Sequence, residues 1–403
     1  MEKVKFGIIG CGNMGTGHFQ NLVGGNIANG ELVAMADLLP EKIANIKKQM
    51  ADRNLPEDSI RFFASGDELI EAKCCDVVII AVPHYFHPTF AIKALENGMN
   101  AIVEKPAGVY TLQVEEMLAC AKKHPELKLG IMFNQRTNPA FKMMKKLIAD
   151  GQLGKITRLN WIITDWFRTQ SYYDGGGWRA TWKGEGGGVL FNQAPHNIDL
   201  FQWIPDMMPT KVRAFCKFGK FHNIEVEDDV TAYFEYENGA TGVFITTTGD
   251  APGTNRFEVT GEKGKLVYDK GTLTFWKNDM SSQEFIKSCP NGFSTPKCEQ
   301  ITFSNDVLRC LMGENSQHAG ILNNFANAVL GLEPLYAPAS DGIKGVTLAD
   351  AMLLSAWTDA DVEIPFDGQK YLDLLKEHIA NSTVVKEEVA GAIADLSNTF
   401  NNK

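Results

Sequence analysis

Short apolar runs alternate with helix-periodic segments through the first third of the chain. Val4–Ile9, Leu32–Ala36, Asp76–Val82 and Ala101–Val103 are β-rich, and the spacing predicts a helix from about Thr16 and another over Pro88–Asn97. Strand followed by helix, repeated, is the pattern of a doubly wound parallel sheet in an α/β protein. Past residue 150 the rhythm changes. Ile156–Ile163, Lys211–Phe218, Val230–Tyr236, Ala240–Thr247 and Arg256–Gly261 are β-rich runs separated by turn residues, which predicts an antiparallel meander. Asn238-Gly239 is the strongest turn signal among them, joining Tyr233–Tyr236 to Thr241–Ile245 as a hairpin. From Gln369 to Lys403, KYLDLLKEHI and VVKEEVAGAIADL carry helical apolar spacing suited to packing on the body or on another subunit.

At 403 residues the chain is long for one core and is expected to divide into two domains. A formal net charge of −10 with no basic block argues against nucleic acid and anionic membrane as partners, and leaves a small molecule. MEKVKFGIIG enters a strand pattern directly, without a signal-peptide core, and no apolar run is long enough to span a bilayer, so a cytoplasmic location is expected. The eight cysteines form no CxxC or Cys/His spacing; reduced thiols and no metal site are expected.

Gly10-Cys11-Gly12-Asn13-Met14-Gly15 follows the first strand, and Asp37 closes the second. Glycines there permit a tight turn and let the backbone approach a pyrophosphate seated on a helix N-terminus, while Asp37 would hold the ribose hydroxyls. A carboxylate in that place repels the extra phosphate of NADP, so NAD is the expected cofactor. Ligands of such sheets lie beyond the carboxyl ends of the strands. Val82, Pro83, His84, His87, Glu104, Lys105 and Asn134 are therefore further candidate cofactor contacts.

Lys105 stands in EKP after NAIV, and a second glycine-rich stretch, GEGGGVLFNQAPHNID, runs from Gly184 to Asp199. Together with VPHYFHP, FNQRTNPAFKMMKKLIADGQLGKI, TGEKGKL and LADAMLLSAW, these motifs resemble the Gfo/Idh/MocA family of oxidoreductases across residues 3–365. The resemblance implies an N-terminal Rossmann domain, set at 1–130, and a C-terminal α/β domain, set at 131–368, with a large, mainly antiparallel open sheet. A helix near 346–360 is expected to pack back on the Rossmann domain, and 369–403 to form a helical tail. A homo-oligomer, dimer or tetramer, is also implied. Residue by residue, Lys105 matches the family's catalytic lysine, His196 its catalytic histidine and Asp199 the acid that commonly follows in the same helix. Asn192 stands where many inositol-dehydrogenase-like members carry an aspartate.

Spacings of three and four put Asn192, His196 and Asp199 on one helical face. Oxidising a secondary alcohol needs a base for the hydroxyl proton and a cation for the developing alkoxide, tasks that suit His196 and Lys105. Asn192 cannot exchange protons near neutrality and is left with orienting work. Five of the seven tryptophans, Trp161, Trp166, Trp178, Trp182 and Trp203, cluster here with Arg168, Asp174 and Arg179, a mixture of apolar faces and hydrogen-bonding groups suited to a polyol ring. The glycines are expected to let this loop close over the cofactor. Candidate substrate contacts are Lys105, Trp166, Arg168, Trp178, Arg179, Asn192, Gln193 and His196; the arginines also suit an acidic sugar or a phosphate. The expected activity is NAD-dependent oxidation of a secondary hydroxyl of a sugar, glycoside or cyclitol. Two alternatives remain: a redox-neutral glycoside cleavage through transient oxidation, and a non-catalytic nucleotide or sugar sensor.

Overall fold

Two sheets organise the computed structural model, which describes residues 3–384. The first comprises β1 (Val4–Ile9), β2 (Gly30–Ala36), β3 (Arg61–Phe63), β4 (Val77–Ile80), β5 (Asn100–Val103) and β6 (Leu129–Ile131). All pairs are parallel, in the order β3-β2-β1-β4-β5-β6. This is a Rossmann sheet: the order reverses between β1 and β4, and the crevice beyond their carboxyl ends receives a nucleotide. The first helix begins at Asn13 rather than Thr16, inside the glycine motif, and β4 ends at Ile80, so Val82 and Pro83 belong to the loop at the ligand edge.

The second sheet comprises β7 (Ile156–Ile163), β8 (Lys211–Phe218), β9 (Glu227–Glu235), β10 (Thr241–Thr247), β11 (Asn255–Gly261), β12 (Gly264–Asp269), β13 (Thr272–Asn278), β14 (Cys298–Phe303) and β15 (Val362–Glu363). Its order is β14-β13-β12-β11-β7-β10-β9-β8-β15. The expected simple meander is corrected at one place: β7 inserts between β10 and β11, parallel to the first and antiparallel to the second. Alternation along ITRLNWII specifies which side chains are buried but not which strands flank them. Burial explains the position. Leu159, Trp161 and Ile163 are fully enclosed, and Trp161 stacks on Phe257 at 4.4 Å between ring centroids and meets Phe244 edge-on at 6.4 Å. The β9–β10 hairpin forms as expected, with Glu235 opposite Thr241 and Gly239 at φ +81° in the turn.

After β14 the chain returns to the first sheet. The Gln317–Val329 helix buries Ile321, Leu322, Phe325 and Ala326 in that sheet's core. The long Ala339–Thr358 helix then joins both cores, contributing Ala339 and Val346 to the first and Leu348 through Leu354 to the second. Of the C-terminal segment, the Gly368–Asn381 helix buries Tyr371 and Leu375, while VVKEEVAGAIADL from residue 385 onward lies outside the described residues. Among the described residues no helix is long and apolar enough to cross a membrane.

Trp161→Ala removes the largest fully buried side chain from the centre of the second sheet. Its expected cost is about 3–5 kcal/mol, read as a lowered urea midpoint.

Candidate active site

The glycine loop after β1 is built for close approach. Gly10 has φ +99°, and a Cβ there would lie 2.3 Å from the Ala81 carbonyl oxygen; a Cβ on Gly15 would lie 1.8 Å from that of Gly10. At Gly12, by contrast, an added Cβ meets nothing within 4 Å, and Gly12 caps the Asn13–Val23 helix without a side-chain hydrogen bond. An open, uncapped helix N-terminus can receive a phosphate on its free amides. Asp37 is aimed by the same loop: its carboxylate accepts from the Cys11 N–H at 2.7 Å and from the Leu39 N–H at 2.9 Å. These residues fit a dinucleotide. Gly10, Gly12, Asn13, Met14, Gly15 and Asp37 are together at the crevice.

The other candidates at this edge divide. Both ring nitrogens of buried His87 face carbonyls, of Pro106 at 2.7 Å and Val82 at 2.8 Å, so this ring braces two loops rather than presenting a nitrogen. His84 Nδ1 lies 3.3 Å from the Glu185 carbonyl and ties the loop after β4 to the second domain. Glu104 is buried and bound to His18 Nε2 at 2.7 Å. Burial opposes ionisation of Glu104, yet the hydrogen bond and charge of His18, with His318 and Lys105, hold its pKa at about 2. Asn134 is fully buried and donates to Gln317 at 2.6 Å.

Lys105 leaves β5 for the cleft, and its ammonium donates to the Asn192 backbone carbonyl at 2.8 Å. Burial lowers its pKa, opposed by the charges of Glu104 and Glu185 and reinforced by Arg179 and Arg168. His196 lies in the first turn of the Pro195–Trp203 helix, buried, with neither ring nitrogen hydrogen-bonded among the described residues. Burial first, then the charge of Lys105, pushes its pKa well below the usual imidazole range, so it is neutral near pH 7.

The single helical face is not what forms. The helix starts at Pro195, leaving Asn192 in the preceding turn, and Asp199 points away into a buried bidentate pair with Arg136, at 2.6 and 2.8 Å. Asp199, offered to the site by the family resemblance and by its spacing from His196, is held here as an anchor: a buried guanidinium needs the nearest carboxylates, and Asp199 and Asp341 supply them. Asn192 reaches the site by another route. Its amide nitrogen donates to Glu185, and its Oδ1 accepts from the Tyr172 hydroxyl at 3.1 Å. Glu185 is thus a residue that sequence reasoning missed. It is buried, with its pKa raised by burial against the Ala180 N–H and Arg179, and it returns a carboxylate to the place where Asn192 lacks one.

The glycine run beside it is packed, not loose. A Cβ on Gly186 would lie 1.9 Å from Val109, and one on Gly188 would lie 2.0 Å from the Glu227 carbonyl oxygen. The Glu227 carboxylate, pushed up to about 8 by burial, accepts from the Gly188 and Leu190 amides. The tryptophans divide as well. Trp161, Trp182 and Trp203 are core, whereas Trp166 and Trp178 are half-buried at the cleft, Trp166 donating to Asn197 at 3.2 Å and Trp178 edge-on to His84 at 5.2 Å. Gln193 lies beside Tyr172, and Arg168 and Arg179 stand over its ring.

Comparison with known proteins finds matches to both parts of the chain. The model for an oxidoreductase family with an NAD-binding Rossmann fold matches residues 4–131, and that for a GFO/IDH/MocA C-terminal domain matches residues 141–267. The scyllo-inositol 2-dehydrogenase (NAD(+)) of Bacillus subtilis is 27% identical over 76% of this chain and 87% of its own. The levoglucosan dehydrogenase of Pseudarthrobacter phenanthrenivorans is 26% identical over 91% of this chain and 99% of its own. Among solved structures, the WlbA dehydrogenase of Chromobacterium violaceum, in complex with NADH and UDP-GlcNAcA, superposes with a TM-score of 0.77 at 25% identity, covering 91% of this chain and 97% of that one.

The buried histidines make stability depend on pH. His84 and His196 are held well below the ordinary imidazole pKa by burial, and His318, half-buried and edge-on to His18, is brought to about 4 for the same cause. Each folded-state value lies below the unfolded one, so protonation favours unfolding: the contribution is complete above about pH 6.5 and is lost as pH falls toward the folded values. The thermal midpoint is expected to drop between about pH 6.5 and 5, and to drop less in His318→Gln.

Proposed function

The chain belongs to the Gfo/Idh/MocA family of NAD-binding oxidoreductases, and from that premise we propose that it oxidises a secondary hydroxyl of a sugar, glycoside or cyclitol, with Lys105 and His196 handling the proton. One observation carries the reading. A neutral, buried imidazole whose two nitrogens have no hydrogen-bond partner among the described residues feels the charge of a lysine whose ammonium donates to a neutral carbonyl, at the carboxyl edge of a nucleotide-binding sheet.

Bound NAD supplies the hydride acceptor at this edge. Lys105 donates to the substrate oxygen and stabilises negative charge as it develops there; its lowered pKa also lets the ammonium give up and regain a proton. His196 accepts the hydroxyl proton as a neutral base. Asn192, fixed by Glu185 and Tyr172, fixes Lys105 in turn through its carbonyl. Trp166 and Trp178 supply flat faces for a ring. The relatives named for acting on scyllo-inositol and levoglucosan support a ring-bearing polyol. Asp37, held by two backbone N–H groups, supports NAD over NADP. Ile162, Phe215, Tyr233 and Trp276 are exposed on the strands of the second sheet and support association of copies through that face.

With NAD and a panel of sugars, glycosides and inositols, the wild-type protein is expected to form stoichiometric NADH with at least one compound. Lys105→Ala and His196→Ala should each lower kcat by about 10²-fold or more, with NADH affinity by fluorescence titration retained. Unchanged turnover in either variant removes its proposed role. Glycoside cleavage without NADH accumulation would instead favour the redox-neutral reaction. Asp37→Ser is expected to raise kcat/KM for NADP relative to NAD.

A further inference from the structure

One buried imidazole–carboxylate pair at the crevice has no part in the chemistry proposed above. His18 stands in the second turn of the Asn13–Val23 helix, whose amino end receives the glycine loop, and its Nε2 lies 2.7 Å from Oε1 of Glu104 at the end of β5. Both residues are enclosed, at 1% and 4% exposure. The other oxygen of Glu104 accepts from the Lys105 N–H at 3.3 Å. Burying two such groups costs desolvation that apolar side chains would avoid, so the pair is a weak source of stability.

Its position and its charge point to the cofactor. A dinucleotide lies across the carboxyl ends of such a sheet with one nucleotide on each half. Asp37 ends β2, so the adenosine belongs to the half formed by β1, β2 and β3, and the nicotinamide to the half where Glu104 follows β5. The nicotinamide ring is positive in NAD+ and neutral in NADH, and a charge fixed on that half discriminates between the two forms. Burial opposes ionisation of Glu104, but the hydrogen bond and charge of His18 bring its pKa to about 2. The charge of the pair therefore follows the imidazole alone: zero when His18 is protonated, a single negative charge when it is not. Imidazole is the side chain suited to change charge between about pH 5 and 8. The buried Nδ1 of His18 has no hydrogen-bond partner among the described residues, so no acceptor or donor fixes one protonation state from that side.

The titratable neighbours are His318, half-buried and edge-on to His18 at 5.6 Å, and His87, His196 and Lys105, all three of which feel the charge of Glu104. Burial holds His87, His196 and His318 below the ordinary imidazole value, so these three are neutral near pH 7 and Lys105 is the cation among the four. The strands beneath the helix of His18 bring Lys5 from β1 and Glu31 from β2, neither of them buried.

We propose that the His18–Glu104 pair is a proton acceptor coupled to the oxidation state of the cofactor: it holds a net negative charge opposite NAD+, and His18 takes up a proton when the nicotinamide is neutral. In alcohol oxidation the hydride leaves the carbinol carbon for the nicotinamide and the hydroxyl proton is released in the site. One positive charge is lost at the ring as one proton appears, and the pair gains a proton. His318, partly exposed, gives the buried pair a ring through which protons exchange with solvent. The coupling rests on NAD binding and not on which alcohol is oxidised, so binding of the two forms reads it without turnover.

The test is calorimetric titration of the protein with NAD+ and, separately, with NADH near pH 7 in buffers of different ionisation enthalpy, which counts the protons exchanged per cofactor bound. NADH is expected to bring in about 0.5 proton or more beyond NAD+. Kd for NAD+ divided by Kd for NADH should then rise about tenfold from about pH 8 to about pH 5.5. His18→Gln, which keeps a donor for Glu104 but does not titrate, should abolish the difference in uptake and flatten the ratio. Glu104→Gln should raise the ratio at about pH 8 by about tenfold, because the charge that favours NAD+ is gone. Each readout compares two forms on one variant, so a uniform loss of affinity from altered packing does not imitate it. Equal proton uptake with the two forms in the wild type overturns the proposal. A difference that survives in His18→Gln also overturns it and assigns the proton to another group, such as Lys105 or His196. Alcohol turnover is measured apart: intact coupling with no NADH formed from any sugar, glycoside or inositol would leave the role of the pair standing and sink the alcohol-oxidation reading.

Discussion

The Lys105 side chain is half-buried, its ammonium's one hydrogen-bond partner among the described residues is a neutral backbone carbonyl, and the rest of the site is arranged around that constraint. A cation removed from water without a carboxylate in contact holds its proton weakly. The charges of Glu104 and Glu185 oppose this without an ion pair to the amine among the described residues, so the lysine remains chargeable. Three separate segments must meet to produce the arrangement: the loop after β5, the glycine-rich stretch, and the start of the Pro195–Trp203 helix. Buried groups hold each of them. His87 ties the loops after β4 and β5, Glu227 binds the glycine-run amides, and Asp199 locks the helix to Arg136.

The absence of an acid at Asn192 has a structural answer. Glu185, seven residues earlier, turns back and accepts from the Asn192 amide. An acid at position 192 would bring a second negative charge against Glu185 in a buried place, whereas an amide joins that carboxylate to the Tyr172 hydroxyl. Charge is thereby kept one residue away from Lys105. It modulates the lysine without forming the direct ion pair that would fix its proton.

The first sheet was legible because each of its cues is local: apolar runs, the glycine turn that only a backbone approach requires, and an acid ending β2. Motifs singled out Lys105 and His196, and the structure brings the charge of one to bear on the other. What failed depended on approach in three dimensions. Helical spacing aligned Asn192 with His196, but the helix begins after Asn192; the same spacing offered Asp199 to the site, while a fully buried Arg136 some sixty residues away claimed it. Glycines read as freedom are instead clefts into which Val109 and the Glu227 backbone fit. Alternation in β7 named the buried Trp161 face but could not reveal that β10 and β11 would flank the strand. Glu185 and Tyr172 carry no sequence periodicity at all, and only their shared contact with Asn192 identifies them.

The most direct measurement is the titration of the Lys105 amine itself, by nitrogen NMR of protein labelled at the lysine side chains, with the resonance assigned by its loss in Lys105→Ala. Lys105 is predicted to lose its proton below the ordinary lysine value of about 10.4, and lower still in Glu185→Gln, where one of the two opposing negative charges is gone. Titration at or above the ordinary value in the wild-type protein would contradict the account.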